Sequence, residues 1–596
     1  MITSSNKAEH TKAEHIGSRL RHWGSGAGDV PGAILLVVLI AYPLATLLGQ
    51  ALLPHLFSKP MSLLPSLAPL RSVFGSKLNL EALVNSLSIG LAEAVLAIAL
   101  GSFSALALAR VPRKVGVVLD AFIWVVFFVP SYVIAQGWVI LMQDKGILAQ
   151  LTGLPNGWSA WFFTRFGLVL IMGLRYFPYV HFGMQEALLH INQDLVQAGR
   201  AAGAGRRQIM TKIILPLLTP AWLAGGSIAF AEGFGDFGIA AAITPQAHIP
   251  MATYQIYASL SEAPVNYPAA AGMSMVVVLV TAAAIVLQFW WLKKRNYNTL
   301  SSAASRDPAG GSNRRSMAVG VAALLFVALF LPLGATLCAS LWKTWSGGMS
   351  AGNWTLSHYF RALRLGGDGW QALGRSLEYS LVTAFLTMSM ALVVGFQMSF
   401  KDSRLSRLLN ILTMSVIAVP GIVLAASFIF AWNAVWLIPI HLVLYGTPVC
   451  LAMAYIASSL PYAIRLEVGA MSQLPANILK AAESFGARNR TVIRKIVLPL
   501  VRGTAISTFF MTFTGVMFEL PASSLLYPPG QPTFSVLIQS KFDNFDWSGG
   551  AALTVIGLVV VFAAYGLGRC LVYYSARVRA EKAQQADRDM VPAAGG

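Results

Sequence analysis

The sequence predicts an all-α polytopic membrane protein: twelve transmembrane helices arranged as two parallel six-helix repeats. Three observations carry this. The chain is apolar, with 56% hydrophobic and 11% charged residues and a mean hydropathy of +0.64, a balance suited to a chain that crosses lipid about 20 residues at a time. Its apolar segments fall into two sets of six. One stretch also occurs twice: residues 197–217 read QAGRAAGAGRRQIMTKIILPL and residues 480–500 read KAAESFGARNRTVIRKIVLPL. Gly203 maps onto Gly486 and Pro216 onto Pro499 at one shift of 283 residues (486 − 203 and 499 − 216).

In order, the apolar segments lie near 33–53, 84–108, 117–142, 164–187, 219–243 and 269–292, then 317–341, 376–400, 408–432, 438–463, 503–527 and 551–575. Residues 1–31 are polar and the first segment is long enough to span, so it reads as an uncleaved helix rather than a signal peptide. The repeats match beyond the duplicated stretch. Asn85-Ser86-Leu87 aligns with Arg375-Ser376-Leu377, and Pro130 with Pro420, at a shift of 290, whereas Pro178-Tyr179 aligns with Pro461-Tyr462 at 283. The difference of seven (290 − 283) places a deletion in the second repeat, in the outer loop after its third span. An even number of spans brings each repeat back to the side it started from, so the duplication is parallel, about an axis along the membrane normal.

The organisation expected is a polar segment 1–31, a first membrane domain 32–292 with a basic loop at about 190–218, a linker 293–316, a second membrane domain 317–575 with its loop at about 473–502, and a tail 576–596. Most of the 43 Lys and Arg fall in the termini, the linker and alternate loops. This positive-inside pattern puts both termini in the cytoplasm and accounts for the net charge of +19 without a nucleic-acid partner. The tail, basic and then polar, reads as a frayed end on the membrane surface. The outer loops 54–83, 143–163, 244–268, 342–375, 433–437 and 528–550 are too short for a folded domain of about 50 residues, so a soluble receptor would be a separate chain. No Gly-x4-Gly-Lys-Ser/Thr phosphate loop occurs in the sequence, so ATP chemistry of that type would also lie elsewhere. Cys338, Cys450 and Cys570 lie far apart inside apolar segments, and no metal-ligand spacing is present.

Each copy of the duplicated stretch reads as helix, bend, helix. Ala198, Arg200, Ala201 and Ala202 in one copy, and Ala481, Ala482 and Glu483 in the other, favour helix, while glycine inside such a run costs about 1 kcal/mol. Gly203 and Gly486 are therefore the bends. Ile209 and Ile213, and Ile493, Ile496 and Val497, stripe a second helix, and Pro216 and Pro499 mark the start of the next span. The result is an elbow shaped to dock in a groove on another protein.

These paired elbows resemble the Glu-Ala-Ala loops of importer permeases of the ATP-binding-cassette (ABC) superfamily, in which a glycine six positions after the Glu and a later Leu-Pro form the coupling helix seated on the ATPase. The resemblance implies the type I ABC importer permease fold, with both membrane domains in one chain. It also implies a separate ABC ATPase dimer carrying ATP and Mg, a periplasmic substrate-binding protein, and residence in a bacterial inner membrane. No cofactor is expected in this chain. The coupling residues it implies are Gln197, Ala198, Gly203, Ala204 and Pro216, and Lys480, Ala481, Gly486, Ala487 and Pro499. Gln197 and Lys480 stand where the family has Glu, so a salt bridge from that Glu does not carry over. GDFG followed by IPMATYQIY, and FELPASSLLYPPG in the second repeat, look like the fused permeases of ferric-iron importers; thiamine, phosphonate and sugar-phosphate importers share the design.

Charges inside spans are functional candidates by default. Arg175 lies mid-way along the fourth segment and Glu232 at similar depth in the fifth, so the two are expected to face each other or a common aqueous cavity, as part of a pathway or as an ion pair that fixes helix rotation. Asp236 matches Glu519 at the shift of 283 (519 − 236), which gives each repeat one carboxylate in the outer part of its fifth span. The pair either lines the pathway, where it would suit a cationic or metal-bearing solute, or caps helix ends. His181, His190 and His441 read as packed or interfacial, and Trp290 and Trp291 as an interfacial anchor. Two rival readings stay open: a secondary transporter in which Arg175, Glu232, Asp236 and Glu519 relay protons or ions, and a membrane scaffold or enzyme subunit without transport.

Overall fold

The computed structural model describes residues 30–57, 61–191, 193–294, 314–400, 404–475, 481–482, 484–487 and 489–590. Lys480, the polar segment 1–29 and most of the linker lie outside the described residues. Within lipid every backbone polar group must be paired inside the chain, which leaves helix as the form these apolar segments can take. The first repeat comprises α1 (Gly32–Leu52), α2 (Lys77–Leu108), α3 (Arg113–Phe128), α4 (Ser131–Met142), α5 (Arg165–Leu189), α6 (Thr219–Phe234), α7 (Gly238–Ala247) and α8 (Tyr267–Lys294). The second comprises α9 (Arg314–Ser340), α10 (Asp368–Phe400), α11 (Arg404–Ile417), α12 (Gly421–Trp432), α13 (Pro448–Met471), α14 (Leu498–Met517), α15 (Pro521–Leu526) and α16 (Trp547–Met590). Among the described residues, by length and apolarity, eight helices qualify as spans, or eleven if each of three bent pairs is one span. The twelfth is α5, whose 25 residues reach about 37 Å; Arg175, Pro178 and His181 dilute its apolar character without shortening it.

Several segments expected to be single spans are broken. The third and ninth turn by 96° between α3 and α4 and by 114° between α11 and α12. Pro130 and Pro420 sit at the breaks with extended backbone (ψ 145 and 146), because proline lacks an N–H and its ring excludes a continuing helix. The short helices that follow, α4 and α12, are buried on every side from Tyr132 to Met142 and from Ile422 to Trp432, which is the meaning of an all-round apolar helix in a bundle. The fifth and eleventh segments break at Gly235 to Phe237 and at Phe518 to Leu520, ahead of α7 and α15. The tenth span begins at Pro448, not near 438, and His441, expected inside it, sits in a turn at φ 51. Residues 576–590 continue α16 rather than fraying as expected.

Four π-helical turns, Val37–Ala41, Met210–Ile214, Phe326–Phe330 and Ile493–Val497, each end two residues before a proline: Pro43, Pro216, Pro332 and Pro499. The wider turn absorbs the lost hydrogen bond and the ring clash, so these helices run through their prolines. Pro499 therefore lies within a helix that continues from its elbow into the next span, whereas the helix holding Pro216 bends by 57° just beyond it, before Thr219.

The repeats interlock by exchanging their first helices. α1 packs on α12, and α9 packs on α4. Tyr42 of α1 donates its hydroxyl to the Ala431 carbonyl at 2.8 Å and accepts the Trp436 indole N–H at 3.1 Å. In the other crossing, a Cβ on Gly137 would lie 2.4 Å from the Pro332 carbonyl oxygen, whereas one on Gly334 would meet nothing within 4 Å. Gly137→Ala should therefore destabilise the purified protein by about 1–3 kcal/mol through overpacking, and Gly334→Ala should not. Thermal unfolding in detergent checks this; equal midpoints for the two variants would refute the close crossing.

Candidate functional site: a central cavity and two elbows

The four helix breaks meet between the repeats around a cavity of about 420 Å³. Their approach depends on glycine: a Cβ on Gly235 would lie 2.8 Å from Pro420 Cγ, and one on Gly238 would lie 2.5 Å from Ser131 Oγ. Arg175, Glu232, Asp236 and Glu519 all line this one cavity, joined by Thr281 and Tyr462.

The two matched carboxylates close the starts of the helices that follow them. Asp236 accepts the Ile239 N–H through Oδ1 and the Tyr176 hydroxyl through Oδ2. Glu519 accepts the Ala522 N–H at 2.7 Å and the Ser523 N–H at 2.9 Å. Their own carbonyls are also matched, accepting Thr253 Oγ1 at 2.7 Å and Ser535 Oγ at 2.6 Å. Each hydroxyl donor lies on a helix beyond the break, Ala252–Ser261 or Phe534–Asp543. Those helices are held in turn by the serines that the repeat alignment pairs: Ser86 Oγ accepts the Ala252 N–H at 2.9 Å, and Ser376 Oγ accepts the Phe534 N–H at 2.8 Å.

Arg175 is only 9% exposed and donates Nη2 to the Phe127 carbonyl at 3.2 Å, at the end of α3. Its Nε and Nη1 have no hydrogen-bond partner among the described residues. Its guanidinium carbon stands 5.5 Å from the Tyr176 ring centroid. Glu232 faces both Arg175 and the Tyr179 hydroxyl, but no direct ion pair joins it to Arg175 among the described residues.

Two buried carboxyls escaped the sequence reading. Glu93, in the middle of α2, is fully buried with neither oxygen hydrogen-bonded among the described residues, and it occupies the space beside Gly233, where a Cβ would lie 2.4 Å from Oε1. A charge within the segment 84–108 was the available signal, the same one that picked out Arg175. Glu467 lies on α13 past the expected end of the tenth span and accepts Thr508 Oγ1 at 3.0 Å. His181 is likewise buried, with Nδ1 2.8 Å from Ser104 Oγ and Nε2 3.3 Å from Asp120 Oδ1, tying α5 to α2 and α3.

In the first elbow, the helix Gln193–Ala201 closes with the Ala204 N–H bonded to the Gly199 carbonyl at 2.9 Å and Gly203 at φ 80. In the second, the Ala487 N–H bonds the Ala482 carbonyl at 3.0 Å with Gly486 at φ 74. This closure, with a left-handed residue past the helix end, selects glycine. Ile209 and Ile214 are buried beneath the first elbow, and Val492 and Val497 beneath the second, each pair at the shift of 283 (492 − 209 and 497 − 214). Gln197, Ala198 and Ala481 are exposed, and Ala204 and Ala487 half-buried.

Two parallel six-helix repeats, broken helices around a central cavity and a matched pair of elbows define a membrane permease with both of its membrane domains in one chain. The chain belongs to the family described as binding-protein-dependent transport system inner membrane component, which it matches twice, over residues 97–293 and 385–573. It is 23% identical over 467 residues to a putative ferric transport system permease protein of Haemophilus influenzae, covering 77% of this chain and 72% of the relative. It is 22% identical over 500 residues to the ferric transport system permease protein of Actinobacillus pleuropneumoniae, covering 82% and 71%. A putative 2-aminoethylphosphonate transport system permease protein of Salmonella choleraesuis is 26% identical over 250 residues, 42% of this chain and 91% of the relative.

The caps make a stability prediction. Glu519→Ala should lose about 0.5–2 kcal/mol of stability, as at other helix caps, and Glu519→Gln less, since the amide oxygen still accepts. Unfolding midpoints of the purified variants measure this, and an unchanged midpoint for Glu519→Ala would remove the capping role.

Proposed function

We propose that this chain is the membrane-spanning subunit of an ATP-driven importer that moves a small solute inward across a bacterial inner membrane by alternating access. It is not itself an enzyme; a separate ATPase dimer hydrolyses ATP with Mg, and a periplasmic binding protein delivers the solute. Both termini and both elbows face the cytoplasm, and the membrane domains run over 32–292 and 317–575. The observation that carries this reading is the pair of elbows, built with the same hydrogen bond and the same left-handed glycine at equivalent places in the two repeats. A carrier driven by an ion gradient has no use for two matched docking surfaces.

In this reading Gln197, Ala198, Gly203, Ala204 and Pro216 form one contact with the ATPase, and Lys480, Ala481, Gly486, Ala487 and Pro499 the other. Arg175, Glu232, Asp236 and Glu519 border the translocation path. Ferric iron is the solute proposed first, supported by the names of two relatives that cover most of the chain; a phosphonate is the alternative supported by a third, and thiamine and sugar phosphates follow from the shared design alone.

The test is uptake and ATP hydrolysis in vesicles holding this chain, its ATPase and a candidate receptor. Gly203→Pro and Gly486→Pro replace a positive φ by one near −65° and should leave the complex assembled while reducing uptake per ATP hydrolysed by about tenfold or more, the order expected when a coupling geometry is lost. Uptake driven by an ion gradient without the ATPase would overturn the proposal.

A further inference from the structure

The carboxylates around the central cavity point at first towards a cationic solute, yet two of them, Asp236 and Glu519, are committed to structural hydrogen bonds. Asp236 accepts the Ile239 N–H at the start of α7 and the Tyr176 hydroxyl of α5, and the two oxygens of Glu519 accept N–H groups at the start of α15. Among the described residues no group of three or more His, Cys, Asp or Glu has a metal-holding arrangement. Arg175 and the helix starts carry positive potential that partly offsets Glu232, Asp236 and Glu519 on the cavity wall.

Beside them stand hydrogen-bond donors that remain unspent. Arg175 is part of the cavity wall, and its Nε and Nη1 are buried without a hydrogen-bond partner among the described residues. α4 and α12, twelve residues each, begin at this cavity after Pro130 and Pro420, whose side chains have no group to cap them. Uncapped helix starts present N–H groups and positive potential, the arrangement that binds anions. Guanidinium and helix start also suit oxygens held on one small planar or tetrahedral group.

We infer that the central cavity takes the anionic, oxygen-bearing part of the solute, held by Arg175 between the starts of α4 and α12. The solute is then either a small oxyanion or a metal carried as an anionic oxygen-ligand complex. This rests on the permease reading and narrows its substrate class. There is one such site per chain: at the shift of 283, Ser458 and Gly515 stand where the first repeat has Arg175 and Glu232 (458 − 175 and 515 − 232).

The experiment is equilibrium binding to the full chain in lipid nanodiscs, without ATPase, using inorganic sulfate, inorganic phosphate, methylphosphonate, ferric citrate and citrate alone, with glycerol as the uncharged control. At least one anion should bind saturably, and glycerol should not. Arg175→Gln should weaken that binding by about tenfold or more, the effect of losing a hydrogen bond to a charged group, with Arg175→Lys intermediate. Because Arg175 also holds the Phe127 carbonyl, Glu232→Gln gives an independent readout: removing an opposing charge should tighten anion binding. Binding of a free oxyanion identifies the first source, and binding of ferric citrate but not citrate identifies the second. No anion bound, an Arg175→Gln affinity equal to wild type, or weaker or unchanged binding in a folded Glu232→Gln protein would overturn the inference. ATP- and receptor-dependent uptake surviving such a result would leave the permease reading intact; uptake independent of ATP would sink that reading whatever the binding data.

Discussion

A helix interrupted inside a membrane leaves backbone N–H and C=O groups that no water can satisfy, and each one left unpaired costs several kcal/mol. This constraint governs the centre of the permease, where four helices are interrupted at nearly the same place. Each break has its own solution. The carbonyl of Phe127, before Pro130, takes the Arg175 guanidinium, and the carbonyl of Ala418, before Pro420, takes Thr281 Oγ1 at 2.6 Å. The N–H groups after the fifth and eleventh spans take Asp236 and Glu519. The breaks are thus affordable only because polar side chains have been placed inside the bundle beside them.

The same placement divides the buried charges into two kinds. Asp236 and Glu519 are equivalent by repeat symmetry and do equivalent structural work, down to the hydroxyl that each carbonyl receives from the helix beyond. Arg175 and Glu232 belong to the first repeat alone. Arg175 seals the Phe127 carbonyl with Nη2, and its Nε and Nη1, without hydrogen-bond partners among the described residues, are left over from that role.

What the sequence made legible was whatever repeated or whatever broke a simple rule. Equal spacing in the two elbows located Gly203 and Gly486, and both take the left-handed conformation that requires glycine. Charge within an apolar run located Arg175, Glu232, Asp236 and Glu519, which share one cavity. Hydropathy did not show that the third and ninth segments fold back, because α4 and α12 are buried in protein and are as apolar as if they faced lipid. The prolines at 130 and 420 were paired correctly as a repeat match, but a proline in a membrane segment signals a break, a kink or a π turn alike. In this chain Pro43, Pro216, Pro332 and Pro499 took the last course and Pro130 and Pro420 the first. Choosing between them needs the tertiary surroundings, and so did the exchange of α1 and α9 between repeats.

The helix running from each elbow leads straight to the cavity. In the second repeat the span Ile493–Met517 is continuous over 25 residues, about 37 Å at helical rise, and its next residues are Phe518 and Glu519 on the cavity wall. In the first repeat the path Arg207–Leu217 continues through a 57° bend into α6, which ends at Phe234, two residues short of Asp236. A helix resists stretching, so displacement of an elbow has to appear as tilt or translation at its far end. That end is where the caps of α7 and α15 sit. Moving the two elbows together would shift Asp236 and Glu519 with them, and because Gly235 packs on Pro420 and Gly421 on Pro521, the breaks of one repeat would carry those of the other. The π turns lie just inside the elbows, at Met210–Ile214 and Ile493–Val497. They are the places where the helix ladder is least regular, and so where such a movement meets the least resistance.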